Sequence, residues 1–231
     1  MRLHFLGIGS AYNPVWGSNS AFFTAEDQLY LLDCGETTFQ HIVIRPELAA
    51  CTEANILITH LHTDHIGSLG SFISYCSCVL KKKVLIASPD AMLPRLLSLM
   101  GISDDYYIFQ QDFSKPMPGG IIVTPVRVVH APDMACYGYY LTDSLETIYY
   151  SGDSSTLLQT TLEKLAGGDL ARIYQETTFE CGSHPAHCTL EQLCNIVPMP
   201  LREKIICMHL GSDFRIAIRH AGFDVAAIIE E

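Results

Sequence analysis

The most informative segment of this 231-residue chain is Ile58-Thr59-His60-Leu61-His62-Thr63-Asp64-His65-Ile66-Gly67. Three histidines and one aspartate fall within six residues, and imidazole and carboxylate are ligands of zinc and other divalent first-row metals. The segment ends a predicted strand over Asn55 to Thr59 and leads into a predicted helix over Gly67 to Leu80. These residues therefore predict a metal site on a tight loop at the end of a strand.

The spacing within the segment favours two metal ions over one. On an extended segment, His60 and His62 point to the same side. The turn that follows can direct Asp64 and His65 to a second position nearby. A single histidine is more often a core or surface residue, but four such residues at this spacing indicate metal binding.

Four residues cannot complete two metal sites, so further ligands are expected elsewhere in the chain. His130 follows the predicted strand Ile121 to Val129, and His209 follows the predicted strand Ile205 to Met208. Asp153 comes just after a third predicted strand, and a carboxylate there could bridge two cations. Because strand ends at one edge can converge, we predict that these three side chains join the cluster.

Composition predicts one folded domain over residues 1–231. Hydrophobic residues make up 48% of the chain and charged residues 17%, which is enough apolar material to bury a sizeable core. Predicted strands with helices between them recur in both halves of the chain. This pattern suits two sheets inside and helices outside, an α/β arrangement in layers.

The charge and the apolar patterning argue against an extended nucleic-acid-binding face and against a membrane protein. The formal net charge is −11 and the only basic run is Lys81-Lys82-Lys83, so a face that grips many nucleic-acid phosphates is not expected. No apolar run approaches the roughly 20 residues that span a bilayer, and residues 1–7 lack the apolar stretch of a signal peptide. The nine cysteines are odd in number and show no C-x-x-C spacing. We expect a cytoplasmic protein with reduced thiols and no membrane partner.

The His-x-His-x-Asp-His motif, the later strand-end histidines and the segment Ser151-Gly152-Asp153 resemble the metallo-β-lactamase superfamily. The resemblance implies a four-layer αββα sandwich and two metal sites. One metal would be held by His60, His62 and His130. The other would be held by Asp64, His65 and His209, with Asp153 bridging the two. Asp33, in the segment Asp33-Cys34-Gly35-Glu36, matches a family carboxylate that supports the ligands from behind.

Within the superfamily, the chain is most similar to the ribonuclease Z branch and its phosphodiesterase relatives. The glycine-rich start of that branch is seen here as Gly7-Ile8-Gly9-Ser10. Its His-Glu-Ala-Thr motif appears as Gln175-Glu176-Thr177-Thr178, and its Gly-His-Ser-Thr motif as Ala186-His187-Cys188-Thr189. The resemblance makes Glu176 and His187, together with Asp64, candidate catalytic residues.

Three departures from the branch argue against transfer RNA as the substrate. Gln175 stands where the branch has a histidine thought to help with the scissile phosphate, and glutamine cannot supply a proton at neutral pH. The loop 13–18 lacks the basic residues of the branch, and the stretch between Asp153 and Gln175 is too short for its long tRNA-gripping arm. His187 or the nearby His184 could take over the missing role.

The sequence thus predicts a metal-dependent hydrolase. The preferred hypothesis is a phosphodiesterase in which a hydroxide activated by two metal ions attacks a small or single-stranded phosphodiester. A thioester or lactone hydrolase on the same scaffold and a metal-binding regulatory protein without turnover are the alternatives. Zinc is the expected metal, with manganese or iron as alternatives. The ribonuclease Z resemblance is compatible with a homodimer.

Overall fold

The computed structural model describes residues 1–179 and 186–229 of the chain. The strands of this described part are β1 His4–Gly7, β2 Ser20–Ala25, β3 Gln28–Leu32, β4 Glu53–Leu57, β5 Lys83–Ala87, β6 Ile108–Gln110, β7 Ile122–Val128, β8 Cys136–Thr142, β9 Thr147–Tyr150, β10 Arg172–Glu176, β11 Ile205–Met208 and β12 Asp224–Val225. The helices are α1 Thr38–Ile42, α2 Pro46–Ala50, α3 Thr63–Ile66, α4 Leu69–Ser74, α5 Leu93–Leu99, α6 Gln159–Gly167, α7 Leu190–Ile196, α8 Met199–Arg202 and α9 Arg215–His220. Short 3-10 helices cover Pro14–Trp16, Asp104–Tyr106 and Pro118–Gly120.

The strands form two mixed sheets with the same pairing pattern. Strands β1 to β6 lie side by side in chain order in the first sheet, and β7 to β12 do so in the second. In each sheet the first two pairings are antiparallel and the next three are parallel. Parallel neighbours end at the same edge of a sheet, so each sheet gathers several carboxyl-terminal strand ends along one edge.

Apolar side chains fill the spaces between the layers. One buried cluster joins the two sheets, where the rings of Phe5 and Tyr174 lie 5.6 Å apart, and it extends to helices α6, α7 and α9. A second cluster lies between the first sheet and its helices and includes Phe72 and Leu97. Each such buried side chain stabilises the fold by about 1.5–3 kcal/mol. The layers run helix, sheet, sheet, helix, which confirms the predicted αββα sandwich of the α/β class.

The helix predicted over residues 67–80 begins at Leu69, and a separate helical turn lies just before it. Helix α3 comes before it, α4 follows, and a π-helical turn over Tyr75–Val79 continues α4. The break arises because the Cys34 N–H donates to the His65 carbonyl at 2.7 Å while the Ser68 N–H donates to the Cys34 carbonyl at 3.1 Å. These bonds tie the chain to the end of β3 and fix α3 as a separate turn that directs its side chains inward.

Within residues 1–179 and 186–229, no helix combines the length and the apolar character needed to cross a membrane. The eight cysteines of the same residues are free thiols, and of these Cys78 is the exposed one. Six of these cysteines are buried, which agrees with the prediction that many of them lie in the core.

Candidate metal centre

The candidate site lies where strands from both sheets end. The motif residues follow β4, His130 follows β7, Asp153 follows β9, and His209 comes directly after β11. Since these strands end on the same side of the sandwich, loops that are far apart in sequence meet there. The structure brings together all seven predicted ligands: His60, His62, Asp64, His65, His130, Asp153 and His209.

Three histidines form the first group of the centre. The Nε2 atom of His60 lies 2.9 Å from Nδ1 of His62, and the Nε2 atom of His130 lies 3.2 Å from the same Nδ1 atom. A set of three imidazole nitrogens that face one point is a common zinc ligand set. This group matches the first predicted ligand set.

Two carboxylates and two histidines form the second group. The Oδ2 atom of Asp64 lies 3.3 Å from Nε2 of His65 and 3.3 Å from Nε2 of His209. The Oδ1 atom of Asp153 lies 3.3 Å from the His65 nitrogen and 3.4 Å from the His209 nitrogen. This group matches the second predicted ligand set.

Asp153 stands between the two groups. While its Oδ1 atom faces the second group, its Oδ2 atom lies 3.6 Å from Nε2 of His130 and 3.9 Å from Nε2 of His60. One carboxylate therefore offers one oxygen to each group. This is the position that a bridging ligand requires.

The residues present fit a pair of divalent cations. Within each group, the candidate ligand atoms all lie within 4.8 Å of one another. Two of these atoms, Nε2 of His65 and Oδ1 of Asp153, are buried without a hydrogen-bond partner. Buried polar atoms are normally satisfied, so orphaned atoms that face a cluster of ligands indicate a place for a cation. The imidazole and carboxylate set suits zinc, manganese or iron and does not select among them.

The pKa values of the buried ligands agree with this reading. Burial and the neighbouring His65 lower the pKa of His60 well below its ordinary value, which keeps this ligand neutral. Burial opposes ionisation of Asp153, yet His209 and His65 hold its pKa well below its usual range. Burial also opposes a charged His65, but Asp153 and Asp33 raise the pKa of His65 well above its ordinary value. A bound cation would displace that His65 proton, since a ligand must offer a free lone pair.

The backbone around the centre takes unusual conformations. Asp33 has a φ of 61° and His209 a φ of 59°, in the left-handed region that costs a non-glycine residue about 1–3 kcal/mol. Gly152 has a φ of 56°, and a Cβ at this position would lie 2.7 Å from the Tyr137 carbonyl oxygen. Glycine is therefore required immediately before Asp153, and the strain at the other two positions lies at the candidate metal centre.

Two ligands are oriented from behind by backbone or carboxylate oxygens. The Nδ1 atom of His65 lies 2.9 Å from Oδ2 of Asp33, and the Nδ1 atom of His130 lies 2.9 Å from the carbonyl oxygen of Ala186. Such bonds fix the tautomer that leaves Nε2 free for a metal. Asp33 therefore lies where a supporting carboxylate was predicted.

Glu176 and His187 form an ion pair beside the centre. The Nδ1 atom of His187 lies 3.1 Å from Oε1 and 3.2 Å from Oε2 of the fully buried Glu176. Burial lowers the pKa of His187, but Glu176 outweighs it and raises that pKa to about 9. The His187 ring lies 4.9 Å from the ring of His130 and 5.6 Å from that of His209. A protonated imidazole is thus held against two of the candidate ligands.

Gln175 lies behind the site. Its side chain is fully buried, and its Nε2 atom donates to the Glu176 carbonyl oxygen at 3.2 Å. It is not among the residues that line the cleft above the metal centre. Of the two histidines considered as replacements for the missing one, His187 lies at the cleft and His184 lies outside the described residues.

An open cleft of about 550 Å³ lies above the centre. It is lined by Ser10, Ala11, Tyr12, Glu36, Leu61, His62, Thr63, Asp64, His130, Asp153, His187 and His209. Sequence reasoning missed Tyr12, whose side chain is 97% exposed, and Glu36. Both stand within or just after segments that the family resemblance had marked, but nothing in their spacing indicates that they reach the cleft.

Comparison with known proteins agrees with this geometry. A profile of the family described as Anti-Pycsar protein Apyc1 matches residues 1–226. Anti-Pycsar protein Apyc1 of Paenibacillus sp. (strain J14) is 24% identical over 227 residues, which cover 92% of this chain and 90% of that protein. Ribonuclease Z of Methanococcus maripaludis is 27% identical over 155 residues, which cover 65% of this chain and 48% of that protein.

The fold is also found among solved structures. The metallo-β-lactamase fold protein YhfI from Bacillus subtilis superposes with a TM-score of 0.76 at 15% identity, covering 96% of this chain and 94% of that one. At this identity the likeness shows the fold alone. Together these matches confirm the predicted resemblance to the metallo-β-lactamase superfamily and its ribonuclease Z branch.

Proposed function

This chain belongs to the anti-Pycsar protein Apyc1 family and has the metallo-β-lactamase fold, and from this premise we propose that it is a metal-dependent phosphodiesterase. Its hydrolase relatives support hydrolysis as the general reaction, and the ribonuclease Z match supports a phosphodiester as the bond. The observation that carries the proposal is the Glu176–His187 ion pair, which places a proton donor against a centre able to hold two cations.

The seven candidate ligands would hold two divalent ions. When bound, such ions supply an activated water and neutralise negative charge on the group that is attacked. Burial opposes ionisation of Asp64, but the hydrogen bond with His209 and the nearby His65 hold its pKa below the ordinary range. The ionised Asp64 carboxylate lines the cleft, so it can orient the attacking water by accepting a hydrogen bond.

His187 is suited to protonate the leaving group. Hydrolysis of a phosphodiester breaks one phosphorus–oxygen bond, and the departing oxygen needs a proton. Glu176 engages Nδ1 of His187, which leaves Nε2 of this cleft-lining ring to donate. Glu176 is itself held by the Ser154 N–H, which donates to Oε1 at 2.8 Å. The pair can therefore keep its geometry while the proton leaves.

The cleft favours a substrate of nucleotide size. Its volume of about 550 Å³ falls in the range of ordinary small-molecule sites. The net charge of −11 does not suit a long nucleic-acid track, whereas two bound cations can hold a single phosphodiester. The exposed Tyr12 ring at the cleft offers an aromatic face on which a nucleobase can stack. We propose small nucleotide phosphodiesters, cyclic nucleotides among them, as the substrates.

The test is a side-by-side hydrolysis assay. Protein loaded with zinc or manganese is offered bis(p-nitrophenyl) phosphate, 3′,5′-cyclic nucleotides, a thioester and a lactone. We expect turnover of the phosphodiesters, which Asp64→Asn loses and which the exposed control His220→Gln keeps. His187→Gln should lose turnover of the cyclic nucleotides, whose departing alkoxide oxygen needs a proton. Turnover of the thioester or lactone alone would move the protein to the acyl-hydrolase alternative. Two bound ions without any turnover would favour the regulatory alternative.

Four further points remain predictions: zinc as the resident metal, one domain over residues 1–231, a cytoplasmic location and a homodimer. Metal analysis of protein purified without added metal, and sedimentation of the purified chain, test the first and the last of these. Limited proteolysis tests the domain assignment, and fractionation of the native host tests the location.

A further inference from the structure

We propose that the Thr59 hydroxyl is a positioning group that couples the two halves of the metal centre. Thr59 is fully buried two residues after the end of β4 and touches neither the cleft nor a candidate ligand atom that faces a cation. Its role is therefore exerted through other side chains. The inference rests on the metal centre of the proposed function and does not depend on which bond is hydrolysed.

The hydroxyl lies between a ligand of one group and the support of the other. The Oγ1 atom of Thr59 lies 3.0 Å from Nδ1 of His60, which belongs to the first group. The same atom lies 2.8 Å from Oδ2 and 3.0 Å from Oδ1 of Asp33. Asp33 in turn accepts from Nδ1 of His65, which belongs to the second group, at 2.9 Å.

The direction of these hydrogen bonds is fixed by what each atom can do. The Asp33 carboxylate accepts, so the single hydroxyl proton of Thr59 points to it. The Thr59 oxygen then has only lone pairs to offer His60, which must carry its proton on Nδ1. That tautomer leaves Nε2 of His60 free towards the first group. Asp33 imposes the same tautomer on His65, so one carboxylate sets the free nitrogen in both groups.

The threonine backbone and methyl group hold this hydroxyl in place. The Thr59 N–H donates to Oδ1 of Asp33 at 2.8 Å, and the Thr59 carbonyl oxygen accepts from the Tyr137 N–H at 3.0 Å. A Cβ built on Gly152 would lie 3.0 Å from Cγ2 of Thr59, so the methyl group rests close to the backbone that carries Asp153. The hydroxyl thus has little freedom to rotate away from its two partners.

The coupling has a measurable consequence for metal affinity. Residues that orient metal ligands from behind commonly change affinity by about 10–100-fold when they are replaced. Thr59→Val keeps the shape and removes the hydroxyl, which frees the His60 ring and takes one donor from Asp33. We expect the affinities for both ions to fall by about 10–100-fold. Thr59→Ser keeps the hydroxyl and should retain both affinities.

The experiment titrates zinc into chelator-treated protein by competition with a chromophoric chelator, and compares wild type, Thr59→Val and Thr59→Ser. Thr161→Val is the matched control, because Thr161 is also buried and hydrogen-bonded, with its Oγ1 atom 2.7 Å from the Tyr140 hydroxyl, but lies in α6 away from the ligands. The metal-free melting temperature of each variant shows that it folds, and Thr59→Ala replaces the valine variant if that one does not.

Loss of affinity for both ions in the valine variant, with rescue in the serine variant, supports the coupling. Three results would overturn it. The valine variant could lose affinity for only one of the two ions, or it could bind both ions as tightly as the wild type. The serine variant could also bind as weakly as the valine variant. The titration needs no turnover. A wild-type protein that binds two ions but cleaves no phosphodiester would therefore remove the proposed function and leave this inference standing.

Discussion

Replacing Glu176 with glutamine isolates the proton-donor role of His187 from the metal ligands. Glutamine keeps the length of the side chain, and its amide oxygen can still accept from the Ser154 N–H. It removes the negative charge that faces Nδ1 of His187 at 3.1 Å. The change therefore acts on the pKa of His187 while leaving the ligand residues in place.

The size of the effect follows from that charge. Glu176 raises the pKa of His187 from the ordinary value of 6.5 to about 9, against the opposing effect of burial. Without that charge, burial still lowers the pKa while Asp153 and Asp64 raise it less strongly than Glu176 did, so the pKa should fall to near 6.5. Activity that needs the proton is lost as pH rises through the pKa of His187. At pH 8 the protonated fraction in Glu176→Gln should be about 30-fold lower than in wild type, and at pH 5.5 nearly equal.

The assay is the pH dependence of kcat/KM with a 3′,5′-cyclic nucleotide, whose departing alkoxide oxygen needs a proton. Bound cations lower the pKa of His187 in both proteins. The measured quantity is therefore the difference between the two proteins in their alkaline limb, the pH at which the rate falls as His187 loses its proton. We expect this difference to be about 2 pH units or more. Metal content is checked at each pH, and His187→Gln should show a low rate without this limb. Alkaline limbs that coincide in wild type and Glu176→Gln would refute the assignment of His187 as a proton donor tuned by Glu176.

Three further predictions concern the bridge, the cleft and the metal. Asp153→Ala should hold at most one zinc ion and lose turnover, because each of its oxygens faces a different ligand group; full metal content by elemental analysis would contradict the bridge. Tyr12→Ala should raise KM for nucleotide phosphodiesters about 5- to 100-fold with little change in kcat, whereas Tyr12→Phe should leave this KM unchanged. The KM for a dialkyl phosphodiester, which has no base to stack, should be the same in both variants and the wild type. Removal of zinc by a chelator should lower the melting temperature by about 5 °C or more, since ions present at about 100 times their Kd stabilise by about 2.7 kcal/mol; an unchanged scan would argue against tight binding.

The metal centre could be predicted from sequence because its ligands obey a simple spatial rule. His130, Asp153 and His209 each follow an apolar strand, and strands that run in one direction deliver their ends to one edge. The family resemblance then assigned the ligands to two groups, and the structure places them in the same two groups. Local pattern and known order were enough because each of these three residues lies within three residues of the end of its strand.

Other features could not be read in this way. Whether Gln175 or Glu176 points towards His187 depends on which side of β10 meets the metal centre, and the alternation of side chains along a strand does not decide between them. The role of Thr59 depends on its distance from Asp33, which comes from an earlier strand of the same sheet. Strand β6 has only three residues, too few for a periodic signal, and is recognised by its pairing with β5.

The charges of the site favour an anionic substrate over a neutral ester. Within the described part of the chain, all buried carboxylates lie in or behind this centre: Asp33, Asp64, Asp153 and Glu176. In the metal-free protein these four carboxylates outnumber His65 and His187, whose raised pKa values keep them protonated, so the remaining negative charge would repel a phosphodiester. Two divalent cations would balance those four charges and displace the His65 proton, so the protonated His187 leaves one net positive charge among these carboxylates, histidines and ions. A phosphodiester, with one negative charge, completes the balance, whereas a thioester or lactone does not. Inorganic phosphate should therefore compete with the substrate only in metal-loaded protein, and binding of phosphate to the metal-free protein by calorimetry would show that this electrostatic argument is wrong.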